Sequence, residues 1–116
     1  MTGVHLKGPL LTGDHEVRAE AWVVGGFITY TRPSGEVDSV DGWVIPGLVD
    51  MHCHVSIGPS GPVDIDLAHK LAQVERDSGV LLVRDVGSTS DISALTTDPH
   101  LPRIIRSGRF IARPKR

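Results

Sequence analysis

In the stretch "IPGLVDMHCHV", Ile45 to Val55, two histidines flank the chain's only cysteine, and an aspartate stands two residues before the first. Neutral imidazole is a nitrogen donor to zinc and other divalent transition metals. Residues two apart on a strand project from the same face, about 7 Å apart along the backbone. His52 and His54 are thus expected to stand side by side and converge on one ion, with Cys53 pointing away. Asp50 falls on the same face, placed either to orient a ligand histidine or to act as a structural carboxylate. Taken alone, an H-x-H pair also arises from two histidines that happen to alternate on a strand. The elements that position the pair decide how it is read.

Those elements change character at Pro46. Before it, "VHLKGPLL" is expected to break at Gly8-Pro9. "VRAEAWVVGGFITYT" has Val17, Ala19, Ala21 and Val23 in the period-2 pattern of a half-buried strand, with a turn or bulge at Gly25-Gly26. With the turn "RPSGE" and the stretch "VDSVDGWVI", residues 1–45 read as a small, sandwich-like antiparallel sheet of about four strands. After Pro46 strands and helices alternate. "LVDMHCHV" is strand-like and "SIGPSGPVD" is a loop. Asp64 caps a helix to about Ser78, with Leu67, Leu71 and Val74 at i, i+4, i+7 and Gly79 as its stop. "VLLV" fits a parallel strand covered on both faces. A second short helix is expected from Ser88 or Ser90 to about Thr97, and "RIIRSG" supplies a third strand. Three such strands in succession call for a parallel sheet over residues 46–116. In that order His52 and His54 lie at the C-terminal end of the first strand, where catalytic groups of α/β barrels gather.

Composition narrows the classes. A chain of 116 residues, 40% hydrophobic and 22% charged, suits a small globular protein. No apolar run approaches the roughly 18–20 residues of a membrane span, and no secretory leader is evident, so no membrane partner is expected. One cysteine excludes an internal disulfide and fits a reducing cytoplasm. Six of the twelve basic residues (Arg103, Arg106, Arg109, Arg113, Lys115, Arg116) crowd the last fourteen positions, where there is no acid. That tail is expected to be a solvated end rather than a nucleic-acid contact, because Phe110 is the one aromatic among them. His69 and His100 are expected off the site, on a helix and in a loop before the third strand, and His5 and His15 belong to the first sheet. Asp85 ends the second strand on the same side as the histidines, where capping the turn "VGSTS" is its simpler role. Cys53 reads as a small buried residue.

The stretch "PGLVDMHCHV" resembles the first barrel strand of the amidohydrolase superfamily, whose members carry a Pro-Gly-apolar-apolar-Asp-x-His-x-His pattern there. Pro46, Gly47, Leu48, Val49, Asp50, His52 and His54 fill each place in it. "GVLLVRDVGS" and "LPRIIRSGRFI" look like the second and third strands of imidazolonepropionase- and prolidase-like members, and residues 1–45 like the small β-sandwich before the barrel. The resemblance implies an α/β fold: a β-sandwich-like segment, then the first three strands and two helices of an incomplete (β/α)₈ barrel. It implies hydrolysis of carbon–nitrogen bonds other than peptide bonds in a small-molecule substrate. It also implies a divalent metal held by His52 and His54, with zinc expected and one or two ions in a complete site. Family ligands from later strands, and the catalytic aspartate of the eighth, have no counterparts, since only 70 residues follow Pro46. The chain is therefore expected to be an N-terminal portion that is inactive alone and open to self-association through its sheet edge. The alternative is a non-catalytic structural or interaction module with at most weak metal binding.

Overall fold

The computed structural model describes residues 3–109 and 111, so Phe110, Arg113, Lys115 and Arg116 of the basic tail lie outside the described residues. The chain forms two compact units, Met1–Pro46 and Gly47–Arg116.

The first unit is a four-stranded sheet of β1 (Gly3–Gly13), β2 (Glu16–Val24), β3 (Phe27–Thr29) and β4 (Val37–Asp41), in the order β3-β2-β1-β4. β1–β2 and β2–β3 are antiparallel. Gly25 and Gly26 close the β2–β3 hairpin with φ of 59° and 83°. A two-residue turn with both central φ positive follows the right-handed twist of its strands and needs residues without a Cβ penalty. β4 departs from the expected antiparallel sheet. It pairs with β1 in parallel, Gly3 opposite Val37 and Lys7 opposite Asp41, because the chain crosses from the β3 edge to the far edge before re-entering. Nor does Gly8-Pro9 break β1. The strand bulges between Lys7 and Leu10 and continues, and a bulge tolerates a proline with no N–H to donate. Leu10, Ala21 and Trp22 are this unit's buried apolar residues.

The second unit positions the histidines. β5 (Leu48–Cys53) is followed by a two-stranded ribbon, β6 (Ile57–Gly58) and β7 (Gly61–Pro62), within the stretch expected to be a loop. Helix α1 (Ile65–Asp77) begins at Asp64, whose carboxylate accepts the Leu67 amide at 2.8 Å. It ends at Ser78 and Gly79, the latter with φ of 94°. β8 (Val80–Asp85) pairs in parallel with β5 on one side and β9 (Arg103–Arg106) on the other.

Three local expectations fail. Leu67, Leu71 and Val74 do not form the packed face of α1. They are 44%, 41% and 61% exposed, and the helix meets the sheet through Ala68 and Ala72, both buried. The helix is rotated by about one residue, or about 100°, toward the side chains small enough for close approach. There Ala68 and Ala72 join Val55, Val83, Ile92, Leu95, Leu101 and Ile104 in a single core. Likewise "STSDISALTT" makes no second α-helix. Only a 3₁₀ turn, Ser93–Thr97, forms there, and the Thr96 and Thr97 hydroxyls bond the carbonyls three residues back. Hydroxyl side chains that compete for backbone groups disfavour a sustained helix. β8 is also less covered than expected: Val83 is buried but Leu81 is 52% exposed. Among the described residues, no helix is long and apolar enough to cross a membrane.

Candidate metal centre

The site is built from the C-terminal ends of β5, β8 and β9, which hydrogen bonds lace into one floor. Val86 N donates to Cys53 O at 2.9 Å, Ser107 N to Asp85 O at 2.9 Å and Ser88 N to Gly108 O at 3.2 Å. The carboxylate of Asp85, fully buried, accepts the Val55 amide at 3.1 Å and the Ser88 hydroxyl at 2.8 Å through one oxygen, Oδ1. Among the described residues, nothing hydrogen-bonds its other oxygen, Oδ2, which is also buried. Asp85 thus does more than cap its own turn: it ties the chain leaving β5 to the chain leaving β8.

The histidines come together as expected. Their ring centroids are 5.6 Å apart with planes at 83°. The backbone leading into the pair is not a regular strand, however. Asp50 faces Val83 and Cys53 faces Asp85, so β5 uses three steps where β8 uses two, which is a bulge at Met51–His52. Bulges re-aim side chains beside sites. The Asp50 carboxylate closes this one by accepting the His52 amide at 2.8 Å, and so acts on His52 through its backbone. His54 Nδ1 lies 2.8 Å from Gly87 O. A carbonyl only accepts, so Nδ1 carries the proton and the ring lone pair resides on Nε2. In metal-ligating histidines a bond of this kind fixes the tautomer and the ring orientation. Gly87, at φ of 135°, makes it possible, since that backbone conformation is closed to other residues.

The Cys53 thiol is pushed up to about 11, first by burial and then by the negative charges of Asp50, Glu75 and Asp85. A thiol so raised is protonated at neutral pH. It packs against the unit's core and borders a cavity of about 250 Å³ shared with Leu71, Val74 and Glu75. The other histidines stay apart. His5 stacks on Trp22 at 4.7 Å and bonds Glu20, and His69 bonds Asp98 at 2.9 Å. His15 sits in the β1–β2 turn, and His100 is exposed in the loop before β9. Among the described residues, no group of three or more His, Cys, Asp or Glu side chains is arranged to hold a metal ion. The donor set therefore fits a divalent metal as half of a tetrahedral shell, two imidazoles of which one is already oriented. Sequence reasoning missed the role of Gly87; the glycine in "DVGS" was its one visible trace.

No protein-family model matches the chain. It is 47% identical over 115 residues to uncharacterized proteins of Mycobacterium tuberculosis and Mycobacterium bovis, a match covering 97% of this chain. The chain spans about 30% of the length of these curated relatives. Among solved structures it is similar to a proposed prolidase from Bifidobacterium longum (TM-score 0.63, 21% identity), over 98% of this chain and 32% of that one. A protein of uncharacterized function matches at TM-score 0.64 and 25% identity, over 91% of this chain and 32% of the other. A molinate hydrolase matches at TM-score 0.62 and 19% identity, over 95% and 30% of the two chains. The fold of this chain is thus a fold found within larger chains, each about three times its length.

Proposed function

We propose that this chain is the N-terminal portion of a metal-dependent amidohydrolase, with His52 and His54 as two ligands of its divalent metal. The observation that carries the reading is the His52–His54 pair at 5.6 Å, with the His54 ring oriented by Gly87 O at the C-terminal end of a parallel sheet. Similarity in fold to a proposed prolidase and a molinate hydrolase supports a hydrolase, and the sequence resemblance around Asp50–His54 supports carbon–nitrogen bonds as its target. A divalent ion, zinc by preference, supplies a Lewis acid that acidifies water and polarises a carbonyl. The chain's own part is to hold the two rings: Asp50 fixes the bulge, Gly87 fixes the His54 tautomer, and Asp85 fixes the loop that carries Gly87. Further ligands come from polypeptide beyond these residues, and a reducing cytoplasm suits the single protonated thiol.

The second reading, a non-catalytic module with weak metal affinity, is favoured by one observation: among the described residues, no third ligand stands beside the pair. The ligand assignment that both readings share is tested on the 116-residue chain with Co²⁺ and Zn²⁺, using visible absorption and isothermal titration, beside a His52→Ala/His54→Ala variant. The amidohydrolase reading expects one weak site that is lost in the variant, together with no turnover of N-acyl substrates by either chain. Equal metal binding by both chains overturns the ligand assignment. Metal-dependent turnover lost in the variant shows that the 116 residues are catalytically sufficient.

A further inference from the structure

Between α1 and the parallel sheet lies the cavity of about 250 Å³ that Cys53 borders. The strand register says which side chains floor it. Val83 pairs with Ile104, and Cys53 pairs with Asp85, two residues on from Val83, so Cys53, Val83 and Ile104 share one face of the sheet. That face meets α1, because Val83 and Ile104 lie in one core with Ala72. The floor is apolar and buried: Val83 is 2% exposed, Ala72 5%, Val55 6% and Ile104 7%. The exposed members of the lining are Leu71 and Val74 of α1 and Pro59 of the β6–β7 ribbon, so the mouth lies between helix and ribbon. The cavity exceeds the roughly 150 Å³ that takes a benzene ring and falls below the roughly 300–1,000 Å³ of drug-sized pockets. It is a chamber for a small apolar group.

Glu75 is the one acid among the described residues that line the cavity, and no Lys or Arg lines it. Its side chain is half-buried, and among the described residues its carboxylate has neither an ion pair nor a hydrogen bond. Arg76, next to it in sequence, is turned to Pro99 O at 2.8 Å and does not answer it. Glu75 is also near enough to the Cys53 wall for its charge to be felt at the thiol. A carboxylate partly withdrawn from water and left without a cation is costly, and an ammonium group offsets that cost through a charge-assisted hydrogen bond. An apolar chamber with a single acid therefore matches a ligand with an apolar body and one cationic head. We propose that this cavity binds a small primary amine carrying an apolar group, its ammonium at Glu75 and its apolar body against Val83 and Ile104. The proposal does not rest on the hydrolase reading.

The test is a ¹⁵N–¹H spectrum of the 116-residue chain at about pH 7, where a primary amine is protonated. The chain is titrated with benzylamine, benzyl alcohol and methylammonium chloride in turn. Benzylamine is expected to shift the Ala72, Val83 and Ile104 amides saturably. Benzyl alcohol, alike in shape but uncharged, should bind about tenfold more weakly, as for loss of a charged hydrogen bond, and methylammonium should leave those amides unmoved. Glu75→Gln should bring benzylamine down to the level of benzyl alcohol, whereas Asp77→Asn, at an exposed acid outside the lining, should leave it unchanged. The same spectra report whether each variant is folded. Benzyl alcohol binding as tightly as benzylamine, benzylamine binding kept in Glu75→Gln, an equal loss in Asp77→Asn, or no saturable shift overturns the proposal. A second copy of the chain seated over Leu71 and Val74 would make the Val83 and Ile104 amides respond to protein dilution instead of to benzylamine, which also overturns it.

Discussion

Gly47 opens the apolar run that leads to the histidines, and the geometry makes a quantitative demand of it. A Cβ placed there would lie 2.5, 2.6 and 2.8 Å from the Cδ1, Cγ and Cβ atoms of Leu81, whereas ordinary carbon contacts are about 3.5–4.0 Å. Rotating the end of Leu81 does not clear the Cγ and Cβ contacts. The cause is a register shift: Leu48 faces Val80 and Val49 faces Leu82, so Leu81 is the extra residue of a bulge and overhangs Gly47. Overpacking of this kind costs roughly 1–3 kcal/mol. Gly47 is not among the glycines with positive φ, so alanine also stiffens the unfolded chain and returns about 0.4–1 kcal/mol. The clash wins, and Gly47→Ala should destabilise by about 1–2 kcal/mol in urea unfolding. Leu81→Ala alone should cost only about 1 kcal/mol, because the side chain is 52% exposed. The double variant should then be more stable than the sum of the singles by at least roughly 0.5 kcal/mol. A local readout is the Leu48 amide, which donates to Gly79 O at 2.9 Å and should exchange faster in Gly47→Ala. Unchanged stability in Gly47→Ala, or strict additivity in the double variant, refutes the reasoning.

The Cys53 thiol, at about 11 against an ordinary 9.0, should react with iodoacetamide at pH 8 roughly a hundredfold more slowly than an exposed thiol, with a rate still rising with pH above 9. A plateau near pH 9 counts against burial as the cause. The folded state favours the thiol, so this contribution to stability is full below pH 9.0 and is lost as pH rises toward about 11. Asp85→Ala should cost about 2–4 kcal/mol, since it strips the acceptor from the Val55 amide and the Ser88 hydroxyl at a buried position. Asp85→Asn keeps an oxygen for both and should cost less; the reverse order in urea unfolding counts against the tie. Finally, the exposed Leu67, Leu71 and Val74 stripe and the exposed Met51 should make the 116-residue chain self-associate at micromolar concentrations in sedimentation. Met1–Arg116 running as an unchanging monomer under those conditions refutes that expectation.

Where the chain's local chemistry and its packing demand the same thing, the sequence was legible. Asp64 and Gly79 bound a helix whatever surrounds them, because a cap carboxylate and a left-handed residue act within one turn. The apolar run at Val80 became a parallel strand, although Leu81 is less covered than the run implied. Where packing chose between local options, the reading failed. The i, i+4, i+7 leucine stripe is a sound reason for α1 to be a helix, but it does not say which face meets the sheet. Ala68 and Ala72 won that place by size. The parallel pairing of β4 with β1 was hidden for the same reason, since residue pattern sets the strand and the path of the connection sets its direction.

The candidate site shows the same division at closer range. Two histidines at i and i+2 were enough to place their rings together, and the rings are together. Yet the strand leading into them is bulged at Met51–His52, so strict alternation along β5 alone does not account for the geometry. What does is a set of bonds from residues far along the chain: Gly87 O to the His54 ring, and Asp85 to the Val55 amide. Each ties the segment leaving β5 to the end of β8 or the loop after it, a pairing that exists only once β5 and β8 lie side by side. A motif read along the chain therefore names the donors, while their orientation belongs to the neighbouring strand. This is why the glycine and aspartate of "RDVGS" matter to the histidines of "DMHCHV", although thirty residues separate Val55 from Asp85.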